Sequence, residues 1–261
     1  MKDGVPGLER EHVLHSDRAL VLTTLGAVVL LSWGYLLLGT GVSVHAMALD
    51  MTVGSWTVTH AAMMLAMWVL MMAAMMLPSA VPMLLLFSAI SRKKCPGSEA
   101  LRRAGAFGVA YVCVWAAFAA AATAMQWKLE RLMLLSPGMA LESGTIAGLL
   151  FAAAGVYQFL PFKRACLRRC RSPLEFLAGH WRPGISGALR MGLQHGAFCL
   201  GCCWVLMGLL FVGGLMNLLW IASLTLIVFV EKVAPGGVFA GRMTGLGLIA
   251  WGVGSVAMVW R

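Results

Sequence analysis

The stretch MGLQHGAFCLGCCWVLM, residues 191–207, combines the composition of a membrane span with four soft metal ligands. On an α-helix, His195, Cys199 and Cys202 project within about 60° of one another, and Cys203 lies at the edge of the same stripe. Imidazole and thiolate groups together suit Cu(I), zinc or iron–sulfur chemistry. This stretch therefore indicates a membrane protein and raises the question of whether it binds a metal.

The composition of the whole chain agrees with a membrane protein. Of its 261 residues, 61% are hydrophobic and only 11% are charged, whereas a soluble domain carries about 25% charged residues. The length suits one bundle of several spans and leaves no room for a separate soluble domain. We expect residues 1–261 to form a single all-α integral membrane domain, a polytopic bundle of transmembrane helices.

Seven apolar segments are predicted to cross the membrane, because a span needs about 20 apolar residues. Residues 57–90 are long enough for two spans, but two crossings would reverse the side of every later loop. One long helix, bent near Pro78 and Pro82, is therefore predicted there. The seven predicted spans cover residues 19–39, 61–87, 104–125, 145–160, 188–212, 215–230 and 243–260.

The basic residues predict the orientation of these spans. With the N-terminus in the cytoplasm, 17 of the 20 Lys and Arg residues fall on the cytoplasmic side, as the positive-inside rule requires. Residues 161–184, between spans four and five, mix basic with apolar residues and are predicted to form a short interfacial helix. The net charge of +10 is thus explained by topology and contact with anionic lipid, and nucleic acid is not expected as a partner.

A second set of soft donors lies on the second predicted span, where seven methionines occur between residues 63 and 76. A face of thioethers headed by an imidazole could bind or pass Cu(I), although methionine is also an ordinary core-filling residue. The residues that project within about 80° of one another are His60, Met64, Met67, Met71 and Met75.

The cysteine-rich stretch has a structural alternative as well, because Gly192, Gly196 and Gly201 would allow neighbouring helices to pack closely. Four soft donors within nine residues nevertheless favour a metal or redox role. The chain has seven cysteines, an odd number with several inside predicted spans, so a disulfide framework is not expected.

Two further groups lie at the predicted cytoplasmic surface. Glu231 ends the sixth span beside Lys232, and we expect an ion pair between these neighbours, although a carboxylate at a membrane is also a functional candidate. Cys166 and Cys170 would share one face of a helical interfacial segment. They could pass metal to a cytosolic carrier, or they could be exposed or palmitoylated thiols.

Several motifs in fixed order resemble a known bacterial family of predicted metal-binding integral membrane proteins, which carries a domain-of-unknown-function label. The resemblance implies a multi-pass protein of the bacterial inner membrane with a metal site, and it maps this site onto His195, Cys199, Cys202 and Cys203. The motifs are AMMLPSAVPM (74–83), YQFLPFKRACLRRCRSPLEF (157–176), LRMGLQHGAFCLGCCWVLM (189–207) and GLMNLLW (214–220), followed by the Glu231–Lys232 pair.

We therefore predict a membrane protein that binds a soft transition metal for handling or transfer, with copper as the first choice and zinc as the second. Two alternatives stay open: a membrane oxidoreductase using copper or cysteine chemistry, and a metal-free structural or assembly subunit. The sequence contains no phosphate-binding loop, nucleophile elbow or HExxH motif, so no enzyme class is indicated. Expected partners are the lipid bilayer and a soluble metal carrier or second membrane subunit. The predicted metal ligands are His195, Cys199, Cys202 and Cys203, with His60, Met64, Met67 and Met71 completing or approaching the site.

Overall fold

The computed structural model describes residues 18–38, 56–95, 98–136 and 139–260. Within these ranges the chain is helical and contains no β-strand, only an isolated bridge between Leu135 and Leu141. The predicted all-α class is therefore confirmed. The helices are α1 (Arg18–Leu38), α2 (Val58–Lys94), α3 (Ser98–Arg131), α4 (Gly144–Tyr157), α5 (Pro161–Arg171), α6 (Pro173–His180), α7 (Gly184–Gly208), α8 (Leu210–Gly213), α9 (Leu218–Val233) and α10 (Gly237–Val259).

Five helical segments of the described chain are long and apolar enough to cross a membrane: α1, α2, α3, α10 and the α7–α8 unit Gly184–Gly213. The pair α4 and α5, bent by 63°, makes a sixth if it is counted as one span. Helices α4 and α9 have only 14 and 16 residues, fewer than the roughly 20 that a straight span needs. The predicted number of seven spans and their orientation therefore stay predictions.

Helix α2 is continuous through Pro78 and Pro82, as the sequence predicts for residues 57–90. Its first turn is capped by the Thr57 side chain, which accepts a hydrogen bond from the backbone N–H of His60 at 3.2 Å. With 37 residues the helix is about 55 Å long, which exceeds the roughly 30 Å hydrocarbon core of a bilayer. If α2 crosses a bilayer along its normal, part of the helix extends beyond the hydrocarbon core.

Small residues set the distance between α3 and α7, which pack along each other. A Cβ atom on Gly192 would collide with the backbone carbonyl of Phe107, and one on Gly196 would lie 2.8 Å from the Val114 side chain. Packing through glycine lets two helix backbones approach closely. This close approach positions the α3 side chains next to the cysteines of α7.

The basic segment after α4 forms two short helices, α5 and α6, rather than one, and each begins with a proline in its first turn. Helix α5 lies against α7, with the Cys166 thiol facing Gly201. The Arg171 guanidinium donates to the carbonyl groups of Glu231 and Ala234 at the end of α9. Helix α5 is thus fastened between α7 and α9.

Candidate metal centre

Three sulfur atoms from α2 and α7 surround the ammonium group of Lys232, which α9 contributes. Nζ of Lys232 donates to Sγ of Cys199 at 2.9 Å, to Sδ of Met76 at 3.5 Å and to Sγ of Cys203 at 3.6 Å. The Cys203 and Met76 sulfurs lie 3.9 Å apart. None of these four residues is more than 6% exposed. We refer to Met76, Cys199 and Cys203 as the sulfur triad.

Helix α3 closes the sulfur triad through Tyr111, which is fully buried. Its hydroxyl group lies 3.0 Å from Sγ of Cys199 and donates to the backbone carbonyl of Met76 at 3.2 Å. Four helices, α2, α3, α7 and α9, therefore meet at this centre. A buried hydroxyl with two protein partners satisfies its hydrogen-bonding capacity without water.

The expectation of an ion pair between Glu231 and Lys232 is wrong. The Glu231 carboxylate pairs with Lys163 of α5 at 2.6 Å, with both side chains 2% exposed, and it accepts a hydrogen bond from Gln158 at 2.9 Å. Consecutive residues of a helix point about 100° apart, so Glu231 faces α5 while Lys232 faces the sulfur triad. Two buried cations are thus placed separately, one beside a carboxylate and the other among sulfur atoms.

The predicted four-residue cluster of His195, Cys199, Cys202 and Cys203 is not formed. Within the described ranges, no three or more His, Cys, Asp or Glu side chains are grouped so that they could hold a metal ion. The thiols of Cys202 and Cys203 each donate to the Cys199 carbonyl oxygen at 3.0 Å. The thiols of Cys199, Cys202 and Cys203 interact with one another, but together with His195 they do not form a group that could hold a metal ion.

His195 is held instead in an aromatic cage. Its ring centroid lies 5.5 Å from that of Phe176, 5.8 Å from that of Tyr111 and 6.0 Å from that of Phe107. Its Nδ1 atom is buried without a hydrogen-bond partner in the described part of the chain. Cys202 interacts with the thiol of Cys170 on α5. His195 and Cys202 therefore both have neighbours outside the sulfur triad.

The methionines of the predicted face of α2 lie in the core. Met67 and Met71 are buried among core residues, whereas His60 is half-buried and packs edge-on against Trp56, with ring centroids 5.0 Å apart. Met64 lies at the other end of the helix, 3.4 Å from the amide nitrogen of Gln126. Met76 is the methionine whose sulfur lies near Cys203 of α7. It is one of the seven methionines of this span, but it does not belong to the predicted methionine face.

Of the eight predicted ligands, the structure brings Cys199, Cys202 and Cys203 together, and Cys199 and Cys203 contact Lys232. It adds Met76, Tyr111 and Lys232, which sequence reasoning did not select as site residues. Lys232 had one usable signal, because it is a cation separated from a long apolar segment only by Glu231. Tyr111 had only the signal of a core position, since it shares one face of α3 with Phe107, Trp115 and Phe118.

Comparison with known proteins assigns the family. Residues 65–255 match the family model described as PpoB2, copper chaperone. The match covers well over half of the chain, so this chain belongs to that family. No curated protein and no solved structure matches it. The family description points to copper handling, and the sulfur triad, Tyr111 and Lys232 all lie inside the matched range.

Proposed function

We propose that this protein binds Cu(I) as cargo at the sulfur triad, inside a helical bundle of the bacterial inner membrane. The observation that carries the proposal is that one thioether of α2 and two thiols of α7 converge around a single buried cation. Thioether and thiolate groups are the ligands that favour Cu(I). The Lys232 ammonium lies between the three sulfurs, so the pocket accommodates a monovalent positive charge. Cu(I) bound there would displace this ammonium to a position beside the thiolates.

The charges of the centre suit Cu(I) as well. Two thiolates and one Cu(I) ion carry a net charge of −1, and the buried Lys232 ammonium beside them would neutralise it. Uncompensated charge is costly in a low-dielectric interior. The Tyr111 hydroxyl, 3.0 Å from Sγ of Cys199, would add a hydrogen bond to a thiolate there. A divalent ion such as zinc would leave an excess positive charge.

We assign copper to the triad rather than to the whole His/Cys stripe. The His195 ring is enclosed by three aromatic rings, and the Cys202 thiol interacts with the Cys199 carbonyl and with the thiols of Cys170 and Cys203 but has no contact with Lys232 like those of Cys199 and Cys203. Both are therefore proposed as neighbours of the metal ligands. Met64, Met67, Met71 and His60 are likewise proposed to lie outside this centre.

The centre is proposed to lie in the cytoplasmic half of the membrane. Cys199 follows Arg190 by two to three turns of α7, and Tyr111 follows Arg103 by about two turns of α3. Lys232 itself stands in the last turn of α9. If basic residues mark the cytoplasmic ends of helices, copper at the triad is close to that side and can be exchanged with a soluble carrier there.

The test is a measurement of copper content on the full-length protein, purified in detergent under reducing conditions after growth with copper. We expect the Cys199→Ser, Cys203→Ser variant to lose about one copper per chain relative to wild type. The matched control is Cys113→Ser, because Cys113 is an exposed thiol on α3 and its loss should leave the copper content unchanged.

Equal copper in the double variant and the wild type would contradict the proposal. Wild-type protein without any metal would favour the alternative of a structural or assembly subunit. Oxygen consumption or thiol oxidation by the copper-loaded protein would favour the oxidoreductase.

A further inference from the structure

A second pair of soft ligands lies toward the other end of α2. The sulfur atoms of Met64 and Met139 are each 3.4 Å from the same atom, Nε2 of Gln126. Met64 and Gln126 are 1% and 0% exposed, and Met139 is 7% exposed. The amide is oriented by Trp68, whose indole N–H donates to Oε1 of Gln126 at 2.9 Å. The amide nitrogen is therefore the atom that faces the two sulfurs.

A carboxylate adjoins these two sulfurs. Oε1 of Glu130 accepts a hydrogen bond from Nε2 of Gln126 at 2.8 Å, and its Oε2 accepts one from the Trp56 indole at 2.7 Å. Thioether sulfur is only a weak hydrogen-bond acceptor, so a buried amide gains little from facing two of them. Two neutral soft donors beside one negative charge are, however, a suitable environment for a monovalent soft cation.

Met139 reaches this position through an unusual backbone conformation. It lies in the loop between α3 and α4 and has a positive φ of 57°, a left-handed conformation that is unfavourable for a residue with a side chain. Such outliers persist where the surrounding structure requires them. Here the conformation accompanies a buried thioether that meets Met64 of α2 at Gln126.

We propose that Met64 and Met139 form a second Cu(I) site, with Glu130 supplying the counter-charge. The inference rests on the proposed function only in taking copper as the cargo, because none of its residues belongs to the sulfur triad. Met64 precedes Met76 by 12 residues of α2, which is about 18 Å along the helix axis. The two sites thus lie at different depths of the same bundle.

Buried methionines connect the two sites along α2. In a transfer step, a Cu(I)–sulfur bond to one methionine forms while the bond to the previous one breaks, the copper stays Cu(I), and the neutral thioethers exchange no proton. Each methionine can therefore pass on the ion without a redox partner. The methionines between Met64 and Met76 with 8% exposure or less are Met67, Met71, Met72 and Met75.

The test removes the sulfur triad first. Full-length Cys199→Ser, Cys203→Ser protein is titrated anaerobically with Cu(I) against a Cu(I)-specific chelator. We expect about one Cu(I) to remain bound, and Met139→Leu in this background to weaken that binding at least tenfold. Met125→Leu is the matched control, because Met125 on α3 is 51% exposed and the exchange of methionine for leucine conserves volume.

The inference is overturned if the double cysteine variant binds no Cu(I), or if Met139→Leu and Met125→Leu behave alike. Met64→Leu serves as the second variant, with the same expected loss, should Met139→Leu fail to fold. The two proposals can fail separately. If the bound copper depends on Met139 but not on the cysteines, only the proposal of a site at the sulfur triad is refuted. If it depends only on the cysteines, only the proposal of a second site is refuted.

Discussion

Lys232 is the residue on which the electrostatics of the sulfur triad depend. Its ammonium is buried, and its partners at the centre are three sulfur atoms. We expect Lys232→Met to weaken Cu(I) binding at least tenfold, about 1.4 kcal/mol, because a bis-thiolate copper centre would keep an uncompensated negative charge in the interior. Competition against a Cu(I) chelator measures this change.

Lys93→Met is the control for this prediction, since Lys93 is exposed near the end of α2 and undergoes the same chemical change. Unaltered affinity in Lys232→Met would exclude a charge-compensating role. Tighter binding in Lys232→Met would indicate that the ammonium competes with copper for the three sulfurs.

Sequence reasoning selected two of the five residues of the centre, and it did so for a physical reason. Cys199 and Cys203 were found because two thiols inside an apolar helix are chemically conspicuous. Met76 was missed because helical projection orders the methionines by angle, but it does not identify the face of α2 that meets α7. The partner of Glu231 was mistaken because it depends on where α5 packs, which no local pattern of the sequence encodes.

At the scale of helices, the close contact between α3 and α7 holds Tyr111 beside Cys199. We expect Gly192→Ala to destabilise the protein by about 1–3 kcal/mol, as overpacking does, because the added Cβ would collide with the Phe107 carbonyl. Copper affinity should fall with it as the two helices separate. Thermal unfolding and chelator competition are the measurements.

Gly105→Ala is the matched control, because nothing lies within 4 Å of the added Cβ atom at this helical position of α3. It should be neutral or slightly stabilising, since alanine is the better helix former. A Gly192→Ala protein as stable as Gly105→Ala would mean that the two helices readily adjust their separation.

The buried pair of Lys163 and Glu231 ties α5 to α9. We expect Glu231→Gln and Lys163→Met to cost about 3–5 kcal/mol each, because either change leaves a buried charge without its partner. The double variant should be more stable than either single variant. Denaturation of the three variants forms a double-mutant cycle, and simply additive costs would show that the pair is not coupled.

The helices themselves were largely predictable, because long apolar runs bounded by charge specify them directly. The predicted interfacial segment is helical but divided, since Pro173 begins α6 directly after Ser172. The short helices were predictable too, because the spans predicted at 145–160 and 215–230 cover fewer than the roughly 20 residues that a full span needs. Hydropathy measures apolar length, whereas the helix ends are set by Ser143 and Asn217, whose side chains cap the first turns of α4 and α9.

At the scale of the whole molecule, the two proposed copper sites lie at different positions along α2. Lys232, which contacts the sulfur triad, lies in the last turn of α9, whereas Gln126 and Glu130 belong to the last turns of α3, at the end remote from Tyr111. If both sites bind Cu(I), the bundle provides successive soft ligands from one side of the membrane toward the other. The direction in which copper moves then depends on the orientation of the bundle.

The distribution of charge predicts an orientation of the bundle, and this orientation predicts a specific labelling pattern. With the N-terminus inside and seven spans, Cys95 lies on the cytoplasmic side and residue 261 outside. Helices α4 and α9, about 21 Å and 24 Å long, would then cross by local thinning of the bilayer, at a cost of fractions of a kcal/mol per Å. We expect a membrane-impermeant maleimide to label Cys95 only in inverted vesicles and Arg261→Cys only in intact spheroplasts, each as the single cysteine of the full chain. Labelling of both positions from the same side would contradict the odd number of spans predicted between them. Labelling of Cys95 from outside would mean that the orientation is reversed, with the sulfur triad toward the outer side.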